Sequence, residues 1–335
     1  MKKLLTILTL ATAGSFAFGS PETYKVFVSP HSTTSTSAKT INNIGVTKGE
    51  YWDGRYHCFI RSASGAITEF EPTGSSGSYV GLLAIASPEA GGGQLVTGSY
   101  YDSAFVNHGY IRSGTGSIVA PIDVPGSINT WITTVNPMGN AAGYYSDASH
   151  INHGFVRTAN GTIQTFSAPG ATIGTYVFGR SANNTIIGEY WNPSGHGYCK
   201  IGNVYTTLDP AGSINTRPID INVNEVITGD WTDSFGNVHG FVVDVSDTAN
   251  IIIVPFDVPG STYTSARAIN SSGTVVGAWD DTAGLTHGFI RSIDGDFTTF
   301  DVPGMQSTVG MAINDNGVVA GQCADTIWHG FIRTP

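Results

Sequence analysis

The sequence is poor in charge, and basic residues are the scarcer of the two signs. Only 12% of its residues are charged, with 15 Lys and Arg against 25 Asp and Glu and a net charge of −10. Nucleic-acid binding depends on basic side chains that neutralise phosphates. This balance therefore predicts no nucleic-acid partner, and it disfavours anionic lipid surfaces for the same reason.

Cysteine is also scarce, since the 335 residues contain 3. That number is too small and too odd for a disulfide framework. Cys58, Cys199 and Cys323 occupy repeat positions that other copies fill with Gly, Ile, Val or Trp. We expect all three to be small buried hydrophobic residues.

Long apolar runs are missing beyond the N-terminus. There, Lys2-Lys3 precede the apolar stretch Leu4–Phe18 and the small-residue site Ala17-Phe18-Gly19. This order is typical of a secretory signal peptide. We predict a signal peptide over residues 1–19, a single domain over residues 20–335, and a secreted or periplasmic protein without a lipid anchor or membrane insertion.

The familiar catalytic and metal-binding motifs do not occur. The sequence has no Gly-x-Ser-x-Gly, His-Glu-x-x-His, Walker, Cys-x-x-Cys or Asp-x-Asp-x-Asp pattern. It therefore predicts no particular catalytic residue, no metal ligand and no cofactor.

What the chain does contain is a repeat built on a His-Gly-aromatic strand. His287-Gly288-Phe289 is a clear copy, and the repeat histidines are separated by 51, 45, 43, 43, 48 and 42 residues. Periods of roughly 40–50 residues are typical of four-stranded propeller blades. The repeat histidines are His57, His108, His153, His196, His239, His287 and His329.

One copy, from Ser265 to Asp301, reads as four strands. A short strand leads to an Ile-Asn-x-x-Gly turn, and the buried β-branched run 274–279 follows it. The His strand comes next, and the Asp294-Gly295 hairpin turn joins it to a fourth strand that a Pro-Gly pair ends. Four antiparallel strands per repeat predict an all-β protein.

The two ends of the repeat array complement one another. His329–Arg333 matches a third strand with no fourth strand after it, whereas Tyr24–Ser29 matches a fourth strand. Pairing of these two segments would hide both sheet edges. We predict a seven-bladed β-propeller closed by residues 24–29 against 329–333. An open β-solenoid is the alternative.

The repeat resembles the HAF family of extracellular repeat proteins. That family is named for a His-Ala-Phe strand that follows an Ile-Asn-x-x-Gly-x-Val-Val-Gly hairpin. Here the two motifs read His287-Gly288-Phe289 and Ile269–Gly277, and the likeness spans the whole chain after residue 19. The resemblance implies an extracellular repeat protein with propeller-like blades and brings no known activity. Cys58, Val243 and the loosened second copy depart from the pattern.

Repeat histidines are expected to lie between carboxylates near the strand ends. His287 pairs across the hairpin next to Asp301, with Asp280 and Asp281 at the end of the preceding strand. The same arrangement recurs as His108 with Asp102 and Asp123, and as His57 with Asp53 and Glu71. A histidine between carboxylates resembles half of a catalytic or metal site. Because the arrangement is repeated, we interpret it as a structural clasp that satisfies polar groups.

Residues outside the repeat register are better candidates for function. Function in repeat scaffolds concentrates in loops and central openings. The loops between second and third strands carry aromatic or cationic residues without counterparts in most copies. These loop candidates for ligand binding are Arg55, Tyr56, Phe105, His150, Phe235 and Trp328.

A second set of candidates lies on the first strands. These strands line the central channel of a propeller, and four of their positions carry charge where other copies have Thr, Ala, Met or Ile. The channel candidates are Lys39, Arg180, Asp220 and Arg267. Ordinary solvated charge is the alternative interpretation.

Two functions remain open on these residues. The favoured one is a secreted recognition or scaffold module, expected to be a monomer, that binds an extracellular carbohydrate or a protein partner through one loop face. The alternative is an exported polysaccharide lyase or glycoside hydrolase, which needs Arg55, Tyr56, His150, Asp220 and Arg267 to converge at the channel mouth.

Overall fold

The computed structural model describes residues 22–85, 95–136 and 138–335, and these residues form 28 β-strands. The all-β prediction is confirmed. The predicted signal peptide at residues 1–19 and the Gly91–Gly93 insertion lie outside the described residues. Across the described ranges, no helix has both the length and the hydropathy to cross a bilayer.

The strands are short and follow one another closely along the chain. The first half comprises β1 (Thr23–Phe27), β2 (Ser35–Ile41), β3 (Thr47–Trp52), β4 (Tyr56–Arg61), β5 (Ile67–Phe70), β6 (Gly77–Ile85), β7 (Val96–Tyr101), β8 (Asn107–Arg112), β9 (Ile118–Ile122), β10 (Asn129–Val135), β11 (Ala141–Ser146), β12 (Asn152–Arg157), β13 (Ile163–Phe166) and β14 (Gly174–Arg180). The second half comprises β15 (Ile186–Trp191), β16 (Gly195–Ile201), β17 (Val204–Thr207), β18 (Ser213–Ile221), β19 (Val226–Asp233), β20 (Val238–Asp244), β21 (Ile253–Phe256), β22 (Tyr263–Ile269), β23 (Val275–Asp280), β24 (Thr286–Arg291), β25 (Phe297–Phe300), β26 (Ser307–Ile313), β27 (Val319–Ala324) and β28 (Trp328–Thr334).

The strands pair into four-stranded antiparallel units, which we name by their first strands. The β22 unit contains β22, β23, β24 and β25 in that order, and the β2, β6, β10, β14 and β18 units repeat the arrangement. The β26 unit takes its fourth strand from the other end of the chain. There β1 pairs antiparallel with β28, with Tyr24 opposite Arg333 and Phe27 opposite Gly330.

A glycine in each second strand permits close pairing at a β-bulge in the first strand. In the β22 unit the register shifts between Ala266 and Ala268, and Gly277 lies beside the bulge. A Cβ on Gly277 would lie 2.0 Å from the carbonyl oxygen of Ser265, which is far inside van der Waals contact. This explains the glycine that ends the Val-Val-Gly motif.

The Asn of each Ile-Asn turn closes its own turn and, in several units, links to the next unit. Asn270 accepts the N–H of Thr274 through Oδ1 (2.9 Å) and donates from Nδ2 to the carbonyl of Asn314 (3.2 Å). Asn222 makes the same link to Asn270, and Asn314 makes it to Asn42 at 3.0 Å. The Asn side chains therefore tie the β18, β22, β26 and β2 units together near the ends of their first strands.

A cation on the third strand packs on the fourth strand of the preceding unit. The guanidinium of Arg291 lies 4.8 Å from the centre of the Phe256 ring, and Arg61 lies 4.8 Å from Phe27. Phe27 is thus used in the same way as the fourth-strand phenylalanines of other units. Further pairs of this kind are Arg112 with Phe70, Lys200 with Phe166 and Arg333 with Phe300.

The hydrophobic core lies largely between neighbouring units. Between the β26 and β2 units, Ala38, Ile41 and Ile332 are buried together, and Phe27 packs against them. The three cysteines are free and buried, in keeping with their interpretation as small hydrophobic residues.

Candidate functional site

The repeat histidines are held by hydrogen bonds and by ring stacking. In the β22 unit, His287 Nδ1 lies 2.9 Å from Asp301 Oδ1, and Nε2 lies 3.5 Å from Asp281 Oδ2. The ring also packs on Trp279, with centroids 4.7 Å apart. The analogous partners are Asp53 and Glu71 for His57, Asp102 and Asp123 for His108, Asp147 and Ser167 for His153, Asn192 and Asp209 for His196, Asp233 and Asp257 for His239, and Asp325 for His329.

The contacts of His287 shift the pKa of its ring and that of Asp281. Burial opposes the charged form of His287, but the hydrogen bonds and charges of Asp301 and Asp281 raise its pKa above the usual value. Asp281 itself accepts the backbone N–H of Leu285, and the pKa of its carboxyl is lowered. The contacts occupy the ring nitrogens of His287 with protein groups, which fits a clasp better than a reactive site.

Five aromatic side chains of the β2 and β6 units form a continuous strip. Ring centroids are 4.8 Å apart for Trp52–Tyr56, 5.1 Å for Tyr56–Tyr79, 5.9 Å for Tyr79–Tyr101 and 5.8 Å for Tyr101–Phe105. We call these five residues the aromatic strip. It crosses from one unit to the next at the ends that carry the loops between second and third strands, which we call the loop face.

The strip is partly open to solvent. The side chain of Phe105 is 78% exposed, and Tyr79 is 36% exposed. Contiguous exposed aromatic surface is unusual on a protein and marks binding sites more often than scattered aromatics do. The rings are mostly tilted or edge-on to one another, and only Tyr101 and Phe105 are stacked. The exposed faces and edges of such rings suit apolar ligand surfaces, while the phenol hydroxyls provide polar contacts.

Phe105 also has an unusual backbone conformation. Its φ is 61°, in the left-handed region, whereas Gly236 and Gly284 fill the corresponding turn positions of other units with φ of 89° and 80°. The turn is closed by Asp102, whose Oδ1 accepts the N–H groups of Ala104 and Val106. Phe105 therefore holds a left-handed backbone that glycine adopts at lower cost, and His150 does the same at this position of the β10 unit.

The other loop candidates are dispersed. Arg55 adjoins the strip, and its Nη1 donates to the carbonyl of Ser75 (3.2 Å). Trp328 pairs with Ser35, which lies opposite Trp52 across β2 and β3. His150 (φ 63°) belongs to the β10 unit, which follows the β6 unit, and Phe235 (89% exposed) belongs to the β18 unit. Neither ring is among the contacts that form the strip. The structure thus brings Arg55, Tyr56 and Phe105 together, with Trp328 nearby.

Sequence reasoning missed three members of the strip. Trp52, Tyr79 and Tyr101 are not among the loop or channel candidates. A signal was present in the second strands, where Trp52 and Tyr101 directly follow the tyrosines that stack on His57 and His108. Alternation along a strand places the second aromatic of such a pair on the opposite face from the clasp.

The four channel candidates line one cavity of about 310 Å³. Residues from β2, β10, β14, β18, β22 and β26, together with the Asn turns that follow these strands, form its wall. Lys39 Nζ is 3.0 Å from Glu50 Oε1, and Arg180 donates to the side-chain oxygen of Asn184. The cavity therefore lies at the turn ends of the first strands, away from the aromatic strip.

Asp220 has a structural explanation within this cavity. Its Oδ2 accepts the N–H of Ile269 on the neighbouring first strand at 2.9 Å, and its Oδ1 accepts the N–H of Ile221 at 2.8 Å. Burial raises its pKa to about 6, although both N–H groups act in the opposite direction. The carboxylate bridges two units and has little capacity left for a ligand.

A further charged cluster adjoins a second aromatic stack. Trp131 stacks on Tyr144 at 4.9 Å, and Tyr144 contacts Tyr176 at 5.2 Å. Tyr176 lies opposite Glu189 in the strand register, as Arg217 lies opposite Asp230. The two carboxylates are 8% and 6% exposed.

Burial raises the pKa of both carboxyls of this cluster. The charge of Arg217 acts against the shift at Glu189 and at Asp230. A cation and two buried carboxyls next to aromatic rings have the composition of a polar binding pocket. No group of three or more His, Cys, Asp or Glu residues suited to a metal ion occurs within the described parts of the chain.

Comparison with solved structures decides the fold. A catalytically inactive virginiamycin B lyase from Staphylococcus aureus bound to quinupristin matches with a TM-score of 0.60 and 14% identity, over 94% of this chain and 100% of that one. The β-propeller domain of the Trilobed protease from Pyrococcus furiosus matches with a TM-score of 0.57 and 10% identity, over 89% and 95% of the two chains. The chain folds as a β-propeller.

Another propeller neighbour is a puromycin-hydrolyzing peptidase from Mycobacterium tuberculosis. It matches with a TM-score of 0.60 and 12% identity, and the alignment covers 90% of this chain and 52% of the peptidase. No protein-family model matches the sequence, and no curated protein matches it. Identities this low support the fold alone, so the function of this propeller has to be argued from its own residues.

Proposed function

We propose that this propeller is a closed ring of seven blades, with β1 completing the last one. Three contacts that recur between or within units support closure, because each also occurs where the chain ends meet. The guanidinium of Arg61 packs on the ring of Phe27. The side chain of Asn314 donates a hydrogen bond to the carbonyl of Asn42. The backbone N–H of Ser29 donates to Thr36 Oγ1 (3.0 Å). The third contact matches that of Val302 with Thr308 (3.0 Å).

Within that ring, the loop face is the binding surface and the ligand is an extracellular carbohydrate. The aromatic strip carries this proposal, since it presents five neighbouring rings across two blades. Sugar rings expose C–H faces that pack on aromatic side chains, while their hydroxyls require polar partners at the edge. The guanidinium of Arg55 and the hydroxyls of Tyr56, Tyr79 and Tyr101 are such partners.

Export completes the proposal. The basic and apolar segment at residues 1–19 and the resemblance to extracellular HAF repeats both support a location outside the cytoplasm. There a rigid recognition module would meet polysaccharides of a cell surface or matrix.

The experiment is affinity electrophoresis of the purified chain through gels that contain soluble polysaccharides. We expect at least one polysaccharide to retard the wild-type protein, and Phe105→Ala or Tyr56→Ala to weaken that retardation about tenfold. Truncation of a contact aromatic typically costs roughly 1–2 kcal/mol of binding free energy.

Phe235→Ala is the matched control. Phe235 is as exposed as Phe105 and lies in the corresponding loop of another unit, but its ring is not part of the strip. The control should be retarded like the wild type. Equal loss in both variants, or no retardation by any polymer, would count against carbohydrate binding and leave a protein partner as the better hypothesis.

The charged cluster favours a second candidate function, the cleavage of a glycosidic bond. Glu189 and Asp230 are buried carboxyls with raised pKa values that flank Arg217 beside the Trp131–Tyr144–Tyr176 stack. Such cleavage uses a pair of carboxyl groups, one of which acts as a general acid and has a raised pKa.

This cluster replaces the convergence that the sequence suggested for an enzyme. Arg55, Tyr56 and His150 lie at the loop face, whereas Asp220 and Arg267 line the cavity at the turn ends. Reducing-sugar release from the retained polysaccharide, abolished by Glu189→Gln and Asp230→Asn, would support catalysis. Retention without release would leave binding alone.

A further inference from the structure

We propose that the cavity between the first strands binds a small oxyanion, a phosphate, sulfate or carboxylate, between Arg180 and Arg267. The site is separate from the aromatic strip and does not depend on the carbohydrate proposal. It lies among the turn ends of six first strands, whereas the strip lies at the loop face.

Both arginines have buried guanidinium nitrogens that lack hydrogen-bond partners in the described part of the chain. Nε of Arg267 is buried without a hydrogen-bond partner among the described residues, as are Nε and Nη1 of Arg180. The one side-chain contact of Arg180 found there is to the amide oxygen of Asn184, and no carboxylate of the described chain lies within 4 Å of either guanidinium. Buried guanidinium nitrogens without hydrogen-bond partners are costly, so a bound anion would offset this cost.

The other charges around the cavity are already engaged. Lys39 is paired with Glu50 at 3.0 Å. Asp315 accepts the N–H of Ser271 (2.9 Å) and the amide of Asn43 (2.7 Å), and both oxygens of Asp220 accept backbone N–H groups. Asp220 and Asp315 keep their negative charge in the cavity lining, but neither forms an ion pair within 4 Å with Arg180 or Arg267 among the described residues.

Asp230 is close enough to Arg267 for the two charges to interact. The charge of Arg267 lowers the pKa of Asp230, although burial raises it more strongly. Its Oδ2 accepts the hydroxyl of Ser265 at 2.8 Å, and it forms no ion pair with Arg267 within 4 Å. The guanidinium is therefore left available to a ligand.

The cavity has room for a small anion. Its volume of about 310 Å³ is well above the space that a single water needs, so a phosphate, sulfate or carboxylate fits together with bridging waters. Two guanidiniums provide the forked donors that such oxyanions prefer.

The test is isothermal titration of the full chain with sodium phosphate, sodium sulfate and sodium acetate in separate runs at low ionic strength. We expect saturable binding of at least one anion, and at least tenfold weaker binding in Arg180→Met and in Arg267→Met. Methionine keeps most of the side-chain volume and removes the charged donors. Losing a charged hydrogen-bond pair typically has this effect.

Arg157→Met is the control, because Arg157 lies on a third strand, outside the cavity, and donates to the carbonyl of Thr158. It should bind the anion like the wild type, and so should Phe105→Ala, which separates this site from the strip. If Arg267→Met does not fold, Arg267→Lys keeps the charge and should bind with intermediate affinity. No binding of any of the three anions at 10 mM (about the weakest affinity of interest), or equal binding by all variants, would overturn the proposal.

Discussion

At the scale of single residues, the repeat histidines make the same kind of stabilising contact in successive units, with the ring hydrogen-bonded to side chains near the strand ends. His287 is held between Asp301 and Asp281 and stacked on Trp279. Its raised pKa means that the folded protein binds this proton more tightly than the unfolded chain does. Protonated His287 therefore contributes fully to stability below the pKa that a histidine has in the unfolded chain, roughly 6.5. This contribution is lost as the pH rises through the higher pKa that His287 has in the folded protein.

Because this stabilisation is lost as the pH rises, the variant Asp301→Asn should show a different pH dependence of stability. Between pH 5.5 and 8.5 the thermal midpoint of the wild-type protein should fall more steeply than that of the variant, since the variant lacks the carboxylate that raises the pKa of His287. The exposed turn variant Asp294→Asn should behave like the wild type. Identical pH profiles for the wild type and Asp301→Asn would contradict the clasp.

Phe105 allows function to be separated from stability at one position. Because its φ is 61°, Phe105→Gly relieves a left-handed backbone that Phe105→Ala keeps, and we expect the glycine variant to be about 1 kcal/mol more stable than the alanine variant. Urea unfolding measures the difference. Both variants should lose polysaccharide retention equally, whereas a glycine variant less stable than the alanine variant would refute this explanation of the turn.

Contacts within one hairpin could be predicted from the sequence, whereas contacts between units could not. His287 beside Asp301 follows from the hairpin register around Asp294-Gly295, because the two strands are adjacent in the chain. The Tyr56–Tyr79 contact depends on how two units dock, which short-range pattern does not encode. The junction of the strip between the two units is therefore seen only in the three-dimensional arrangement.

At the scale of elements, the Ile-Asn turn joins a local role to a long-range one. Asn314 accepts the N–H of Val318 within its own turn (3.0 Å) and donates to the carbonyl of Asn42 in the neighbouring unit (3.0 Å). In the β14 unit Ser181 fills this position and still accepts the N–H of Thr185 (3.2 Å). The turn thus needs only an acceptor, and the donor serves the link between units.

Asn314→Ser should consequently lower the free energy of unfolding by about 1 kcal/mol, roughly the contribution of one buried hydrogen bond. Asn136→Ser is the matched change, since Nδ2 of Asn136 has no hydrogen-bond partner among the described residues. It should cost clearly less in the same urea titration. Equal losses would mean that the link between units contributes nothing measurable.

The strands themselves were predictable, and the reason is physical. A β-branched second strand, a glycine that admits the bulge and an Asp-Gly hairpin are local requirements of one unit. The all-β class and the four-stranded antiparallel units are confirmed on that basis. The sequence identified four charged residues on the first strands but could not distinguish their roles. In the structure, Asp220 bridges two units, whereas Arg180 and Arg267 have buried nitrogens without hydrogen-bond partners within the described ranges.

At the scale of the whole molecule, both proposed sites depend on the pairing of the two chain ends. The strip crosses from the β2 unit to the β6 unit, and the cavity is shared by first strands from both halves of the chain. Both sites therefore need neighbouring units held in a fixed arrangement. The pairing of β1 with β28 supplies that restraint between the β26 and β2 units.

Hydrogen-exchange mass spectrometry of the native protein tests this union most directly. If β1 completes a blade, the amides of residues 23–27 should be protected to the same degree as those of the fourth strand β25, because both are outer strands with one paired edge. Complete exchange of residues 23–27 within seconds, while residues 297–300 stay protected, would contradict the closed ring.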